Sequence, residues 1–232
     1  MNNIFCIEKT PAVVYGGASD KGFIYVHGQG GNKEEGERFS LIAEKFGYQT
    51  LSVDLPEHGG RTDGAKFEPW FVTDELEKVI DYAEKKWNYI CVRAVSIGSW
   101  FSLLSFKNRR IEKCLFSSPL VDMENMICSM MKLAGVSEDE LKEKQEIKTQ
   151  FGQTLSWRYL CYARENRVHA LCRDTSVLYA KNDELIPFET VEKFVDDNKC
   201  SLTLIEKGEH WLHTADDLKL VEKWETESVS DG

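Results

Sequence analysis

Residues 89–107 read YICVRAVSIGSWFSLLSFK. The first half, Ile90-Cys91-Val92 and onward through Arg93, Ala94 and Val95, is an apolar, β-branched run of the kind that forms a buried strand. The second half places Trp100, Leu103 and Leu104 at helical spacing beside small Ser99 and Ser102. Between them stands Ala94-Val95-Ser96-Ile97-Gly98. A strand that turns at once into a helix must bend sharply at Ser96. The residues two before and two after must then be small, because strand and helix backbones pass close to them. Such a bend lifts the Ser96 hydroxyl out of the sheet at a helix N-terminus, where unpaired amides and the dipole favour developing negative charge. Small-x-Ser-x-Gly also arises by chance, and a strand ending in a serine N-cap is the simpler account of the pentapeptide alone. The surrounding chain decides between them.

Upstream, Gly22–His27 is a continuous apolar strand that runs into Gly28-Gln29-Gly30-Gly31-Asn32. Residues 33–46 form an amphipathic helical pattern with Phe39, Ile42, Ala43 and Phe46 on one face. Residues 48–54 are the next strand, ending in Leu55-Pro56-Glu57-His58-Gly59-Gly60, and residues 72–87 are a helix with acidic start and basic end. Residues 4–9 and 12–16 read as an opening hairpin. Downstream, strands are expected over 111–118, 175–180 and 200–206, and helices over 188–197 and about 214–224, with a polar tail, 225–232, expected to fray. This alternation predicts an α/β fold with a mostly parallel central sheet and helices on both faces, in which function collects at the carboxyl ends of the strands.

The rhythm breaks between Leu120 and Asp174. Helices are expected over 122–134, 137–149 and 154–164, so residues 120–174 read as a purely helical cap insertion within a single domain spanning 1–232. The Met123, Met126, Met130 and Met131 stripe is simplest as core, although methionine also suits adaptable apolar surfaces.

Composition sets the bounds. Apolar content of 42% is enough for a sizeable core, and a net charge of −10 argues against nucleic acid and anionic membrane as partners. The opening MNNIFCIEKT lacks the basic and apolar regions of a signal peptide, and no apolar run has membrane-spanning length, so a cytoplasmic location is expected. Seven scattered cysteines show neither a CxxC nor a zinc spacing; they read as reduced thiols, and neither metal nor cofactor is expected.

A serine hydroxyl is a poor nucleophile at neutral pH; it needs a base, and the base an orienting carboxylate. In a sheet of this kind these stand at later strand ends in the order Ser, Asp or Glu, His. Asp183 follows a buried strand by two polar residues, and His210 follows the final strand behind Gly208. With these residues in view the chain resembles the α/β-hydrolases, specifically serine esterases and lipases with a helical cap. Ala94-Val95-Ser96-Ile97-Gly98 resembles the nucleophile elbow and His27-Gly28-Gln29-Gly30-Gly31 the oxyanion loop. Asp54-Leu55-Pro56-Glu57-His58-Gly59 is similar to the D-x-P-G-x-G turn. Asn182-Asp183-x-x-Ile186-Pro187 is similar to the acid turn, and Gly208-Glu209-His210 to the histidine loop. Two departures stand out: Ala94 and Glu57 each replace a glycine.

The resemblance implies Ser96 as nucleophile, His210 as general base and acid, Asp183 as the orienting carboxylate, and the amides of Gln29 and Ile97 as the oxyanion hole. It implies that Gly30 and Gly31 let the loop take positive φ and approach substrate closely. Trp100, Trp157, Trp211 and Met126 are candidates to line a substrate pocket, with core packing as the competing account. His27 is expected to brace the glycine loop, His58 to be solvated or bonded to backbone, and His169 to be structural. His213 is the rival to His210, and Asp122 the rival to Asp183. A dinucleotide site competes over the first 60 residues, but Lys33 occupies the third glycine of G-x-G-x-x-G and no G-K-[ST] follows.

The expected function is hydrolysis of carboxylic esters of small or medium acyl substrates through an acyl-enzyme. A non-catalytic ligand-binding relative, or thioesterase or peptidase activity on the same triad, is the alternative. The expected partner is a small-molecule ester, and self-association as a homodimer is left open.

Overall fold

The computed structural model describes residues 3–230. In chain order, β1 (Asn3–Ile7) and β2 (Thr10–Tyr15) form the opening hairpin. They are followed by β3 (Lys21–Val26), α1 (Gly36–Ala43), β4 (Gln49–Val53), α2 (Pro69–Lys86), β5 (Tyr89–Val95), α3 (Ile97–Ser105) and β6 (Lys113–Ser117). Next come α4 (Met123–Ala134), α5 (Glu138–Lys144), β7 (Glu146–Lys148), β8 (Thr154–Ser156) and α6 (Trp157–Glu165). Last are β9 (Thr175–Ala180), α7 (Phe188–Asn198), β10 (Ser201–Ile205) and α8 (Ala215–Ser230). The chain divides into two compact units, residues 121–168 and the remainder.

The larger unit holds an eight-stranded sheet in the order β1-β2-β4-β3-β5-β6-β9-β10. β2 pairs antiparallel with β1 and β4, and every pairing from β4 to β10 is parallel. Parallel strands covered on both faces need apolar residues on both, which is why β3, β5 and β6 read as continuous apolar runs. On one face Phe23, Tyr25, Cys91, Leu115 and Leu178 pack with Phe39 and Ala43 of α1 and with Trp224 and Val229 of α8. The other face is covered by α2 and α3.

Two expectations are corrected. The tail does not fray over 225–230: α8 continues to Ser230, with Trp224, Glu225 and Val229 buried, and residues 231–232 lie outside the described residues. Arg93 on β5 pairs with Glu225 at 2.9 Å, and Lys113 on β6 donates to the Ser228 carbonyl, so the polar turn is tied down from the sheet. The insertion is also not purely helical. Gln145, at φ 65°, ends α5, and Glu146–Lys148 pairs antiparallel with Thr154–Ser156. β-branched Ile147 and Thr154 suit the ladder, Gly152 at φ 93° serves the turn, and Ser156 then caps α6 through the Tyr159 amide. Within this smaller unit Arg164 joins Glu124 at 2.9 Å and Glu138 at 2.7 Å. Among the described residues no helix is long and apolar enough to cross a membrane.

Candidate active site

β5 ends and α3 begins at a single residue. Ser96 has φ 50° and ψ −124°, a conformation rare for any side chain larger than glycine. Its amide donates to the Ser117 carbonyl at 3.0 Å, and its own carbonyl accepts from Ser99 at 3.0 Å and Leu120 at 3.1 Å. Neighbouring strand and helix thus over-determine a strained backbone. The small residue two places on is required by contact: a Cβ on Gly98 would lie 2.4 Å from the His27 carbonyl oxygen and 2.7 Å from that of Val26. A side chain there would push α3 off the end of β3.

Three side chains from separate strand ends meet at this bend. Ser96 Oγ lies 2.9 Å from His210 Nε2, and His210 Nδ1 lies 2.7 Å from Asp183 Oδ2. The other Asp183 oxygen accepts from the amides of Leu185 at 2.9 Å and Ile186 at 2.8 Å, which fixes the carboxylate's orientation. With Nδ1 donating to that carboxylate, Nε2 is left as an acceptor for the serine hydroxyl. The loops carrying Asp183 and His210 are tied together by Lys181 N to the Ile205 carbonyl at 2.9 Å and Asn182 N to the Gly208 carbonyl at 3.1 Å. Ser118, buried at φ 44°, donates from Oγ to the His210 carbonyl at 3.0 Å. Ser118 carries no signal for this role in the sequence, where it reads as the end of a strand; the contact forms where β6 lies beside the Ser96 strand in the sheet.

The glycine loop after β3 completes the rim. Gly30 takes φ 81°, whereas Gly31 is glycine for space, since a Cβ there would lie 2.7 Å from Glu35 Oε1 and 2.9 Å from His27 Cβ. Of the two glycines only Gly30 uses the positive φ expected of both. Among the described residues the amides of Gln29 and Ile97 carry no hydrogen bond. A cavity of about 710 Å³ opens here, with Gly28, Gln29, Ser96, His210 and Trp211 in its wall. No group of His, Cys, Asp or Glu among the described residues is arranged to hold a metal ion.

The fold, rather than the sequence, finds its match among known proteins. No protein-family model matches the chain, and no curated protein matches it in sequence. Est1E from Butyrivibrio proteoclasticus, solved with ferulic acid, superposes at TM-score 0.77 with 20% identity, covering 99% of this chain and 98% of its own. The mouse alpha/beta hydrolase domain-containing protein 10 superposes at 0.78 with 13% identity over 100% and 99% of the two chains. A soluble variant of the monoglyceride lipase of Saccharomyces cerevisiae, in complex with a substrate analogue, superposes at 0.68 with 12% identity over 100% and 94%. The chain has the α/β-hydrolase fold.

In this α/β-hydrolase fold the other histidines fall to backbone or solvent. His27 is fully buried, with Nδ1 2.7 Å from the Gly28 carbonyl and Nε2 accepting from the Leu55 amide at 3.1 Å, so it braces the glycine loop against the β4 turn. His58 Nδ1 lies 2.7 Å from the Pro56 carbonyl, and His169 and His213 are exposed. His213 lines the cavity, and α8 begins only at Ala215. Asp122 N-caps α4 through the Asn125 amide at 2.9 Å. Asp54 is buried and takes the Lys33 amide at 2.7 Å and its Nζ at 3.0 Å. Glu57 adopts φ 62°, the left-handed conformation a glycine would take freely, and its carboxylate accepts from Phe67 N at 3.0 Å and Lys66 Nζ at 3.1 Å. Of the pocket candidates, Trp211 is 60% exposed and stands edge-on to His210 at 5.2 Å, while Trp100 is buried in the core beside Phe101. Met126 and Trp157 belong to the smaller unit, where Trp157 carries Lys142 over its ring at 5.8 Å.

Burial pushes the His27 ring down to about 4, so it stays neutral where an unfolded chain would protonate it. A depressed folded value gives stability that is present above pH 6.5 and is lost as pH falls through 4. A shift of this size is worth about 3 kcal/mol. Replacing His27 with Gln should therefore flatten the decline in urea midpoint between pH 6.5 and 4. An unchanged decline would mean that other groups set the acid limit.

Proposed function

We propose that this protein is a serine hydrolase that cleaves carboxylic esters of small or medium acyl substrates, with Ser96, His210 and Asp183 as its triad. The observation that carries the reading is the unbroken chain of contacts from Ser96 Oγ to His210 Nε2 at 2.9 Å and from His210 Nδ1 to Asp183 Oδ2 at 2.7 Å, built on a strained bend. A hydroxyl held against an imidazole acceptor can lose its proton as it attacks an acyl carbonyl. The oxyanion that forms would rest on the amides of Gln29 and Ile97, which have no competing partner among the described residues. Such donors act on charge that exists only in the transition state, and losing one typically costs about 10²–10³ in rate. Protonated His210 would then donate to the departing alcohol, with Asp183 holding the imidazolium. Water, deprotonated by the same ring, would release the acyl group. The monoglyceride lipase among the similar structures favours an ester over other acyl compounds.

A fluorophosphonate probe tests this directly. Wild type should be labelled stoichiometrically, with the adduct mapped by mass spectrometry to the peptide containing Ser96, and heat-denatured protein should not be labelled. An unlabelled native protein that binds acyl ligands without turnover would replace the enzyme with a binding protein of the same fold.

A further inference from the structure

The cavity at Ser96 extends well beyond the reacting groups. It continues as a groove between α1 and α8 along the sheet, walled by Phe39, Leu41, Leu212, Leu218 and Val221, with Trp211 at the mouth. All of its lining residues belong to the larger unit. At about 710 Å³ it falls within the range that accommodates small organic ligands.

The polar groups in the groove divide by role. Arg93 in the floor is paired with Glu225 at 2.9 Å and also donates to the Ala94 carbonyl and Ser117 Oγ. Arg38 in the wall donates to the Leu218 carbonyl at 2.7 Å. Arg93 is thus neutralised by its buried partner, while the half-exposed Arg38 also stands 3.8 Å from Glu222. Glu34, Glu35, Glu37 and Glu225 share the lining with two arginines, and Glu34 is also paired with Lys33 at 2.8 Å, so the apolar groove carries an excess of carboxylates.

We propose that this groove holds the acyl chain of the ester, and that it selects neutral, extended hydrocarbon chains over short or negatively charged ones. The acyl group stays on Ser96 through both half-reactions, so it requires a built site, whereas the leaving group requires an exit. The inference rests on Ser96 being the nucleophile. A carboxylate at the far end of the chain would enter a lining in which four glutamates face two arginines, one of them held by Glu225.

The test uses p-nitrophenyl esters from acetate to decanoate, with Leu41→Trp and Leu218→Trp as groove-filling variants on opposite walls. Each methylene that enters the groove should raise kcat/KM about fourfold, so hexanoate should exceed acetate by on the order of a hundredfold. Either tryptophan should cut that ratio at least tenfold, and the p-nitrophenyl half-ester of adipate should be at least tenfold poorer than hexanoate. Leu41 is 61% exposed, so a larger ring there leaves the core intact, and a thermal melt verifies each variant. A ratio that stays the same in both variants, or that follows the alcohol in a series of alkyl acetates, overturns the proposal. Absence of turnover on every ester would instead sink the catalytic reading. Calorimetric titration with decanamide then judges the groove by itself: binding weakened tenfold in either variant supports it, and no binding to wild type refutes it.

Discussion

Replacing Ser96 with alanine should lower kcat on p-nitrophenyl acetate by on the order of 10⁴–10⁶, and replacing His210 should cost about as much. The two changes together should cost little more than either alone. The hydroxyl and the imidazole perform one proton transfer between them across 2.9 Å, and the second deletion removes what the first has already disabled. Asp183→Asn should fall by about 10⁴, because an amide facing Nδ1 can turn the imidazole to the tautomer that no longer accepts the serine proton. His213→Ala, which leaves the 2.7 Å contact between His210 and Asp183 in place, serves as the control. If it abolishes activity while His210→Ala does not, the base has been misassigned. The same residue permits a separation of strain from chemistry. Ser96→Ala keeps a Cβ at φ 50°, whereas Ser96→Gly removes it, so both variants should be inactive but the glycine variant more stable by about 1 kcal/mol. Equal stabilities would mean that the bend costs nothing to hold.

The parts of this molecule readable in the sequence were those set by local periodicity. The alternation of apolar runs and amphipathic stretches marked β3, α1, β4, α2 and β5 because their burial repeats every two or three to four residues. Ser96, Asp183 and His210 stood out because each follows a strand, the first directly before a helix and the others in loops, and the sheet brings those ends within hydrogen-bond reach. What escaped depends on partners distant in the chain. ETESVS at 225–230 is too polar to read as buried helix, yet Glu225 is met by an arginine 132 residues earlier. That arginine was itself hidden inside an apolar strand. The β7–β8 hairpin has only three residues per strand, too few to show a period against the charged helix before it. Ser118 looked like an ordinary strand end, and its contact with the His210 carbonyl exists only because β6 and β9 pair.

Removing Arg93 alone should be the most damaging change to stability outside the reacting groups. Arg93 and Glu225 are each 3% exposed, and the guanidinium lies against the rings of Tyr25 at 5.9 Å and Trp224 at 5.2 Å. Arg93→Met preserves most of the apolar volume but leaves a buried carboxylate without its cation, a loss of about 3–5 kcal/mol. The double variant Arg93→Met/Glu225→Leu should recover most of this, because the desolvation of both charges disappears with them. Burial already pushes the Glu225 carboxyl above its ordinary 4.5, against the pull of Arg93. A raised folded value means that the folded state holds the proton more tightly than the unfolded chain. The group therefore favours folding most below pH 4.5, and that advantage declines as pH rises through the raised value. Without Arg93 the value rises further, so the stability gap between wild type and Arg93→Met should be small at pH 4.5 and widen towards pH 7. Urea unfolding at the two pH values measures it. A gap independent of pH would place the damage in lost packing rather than in charge, and a double variant as weak as the single one would deny that the pair acts through its mutual neutralisation.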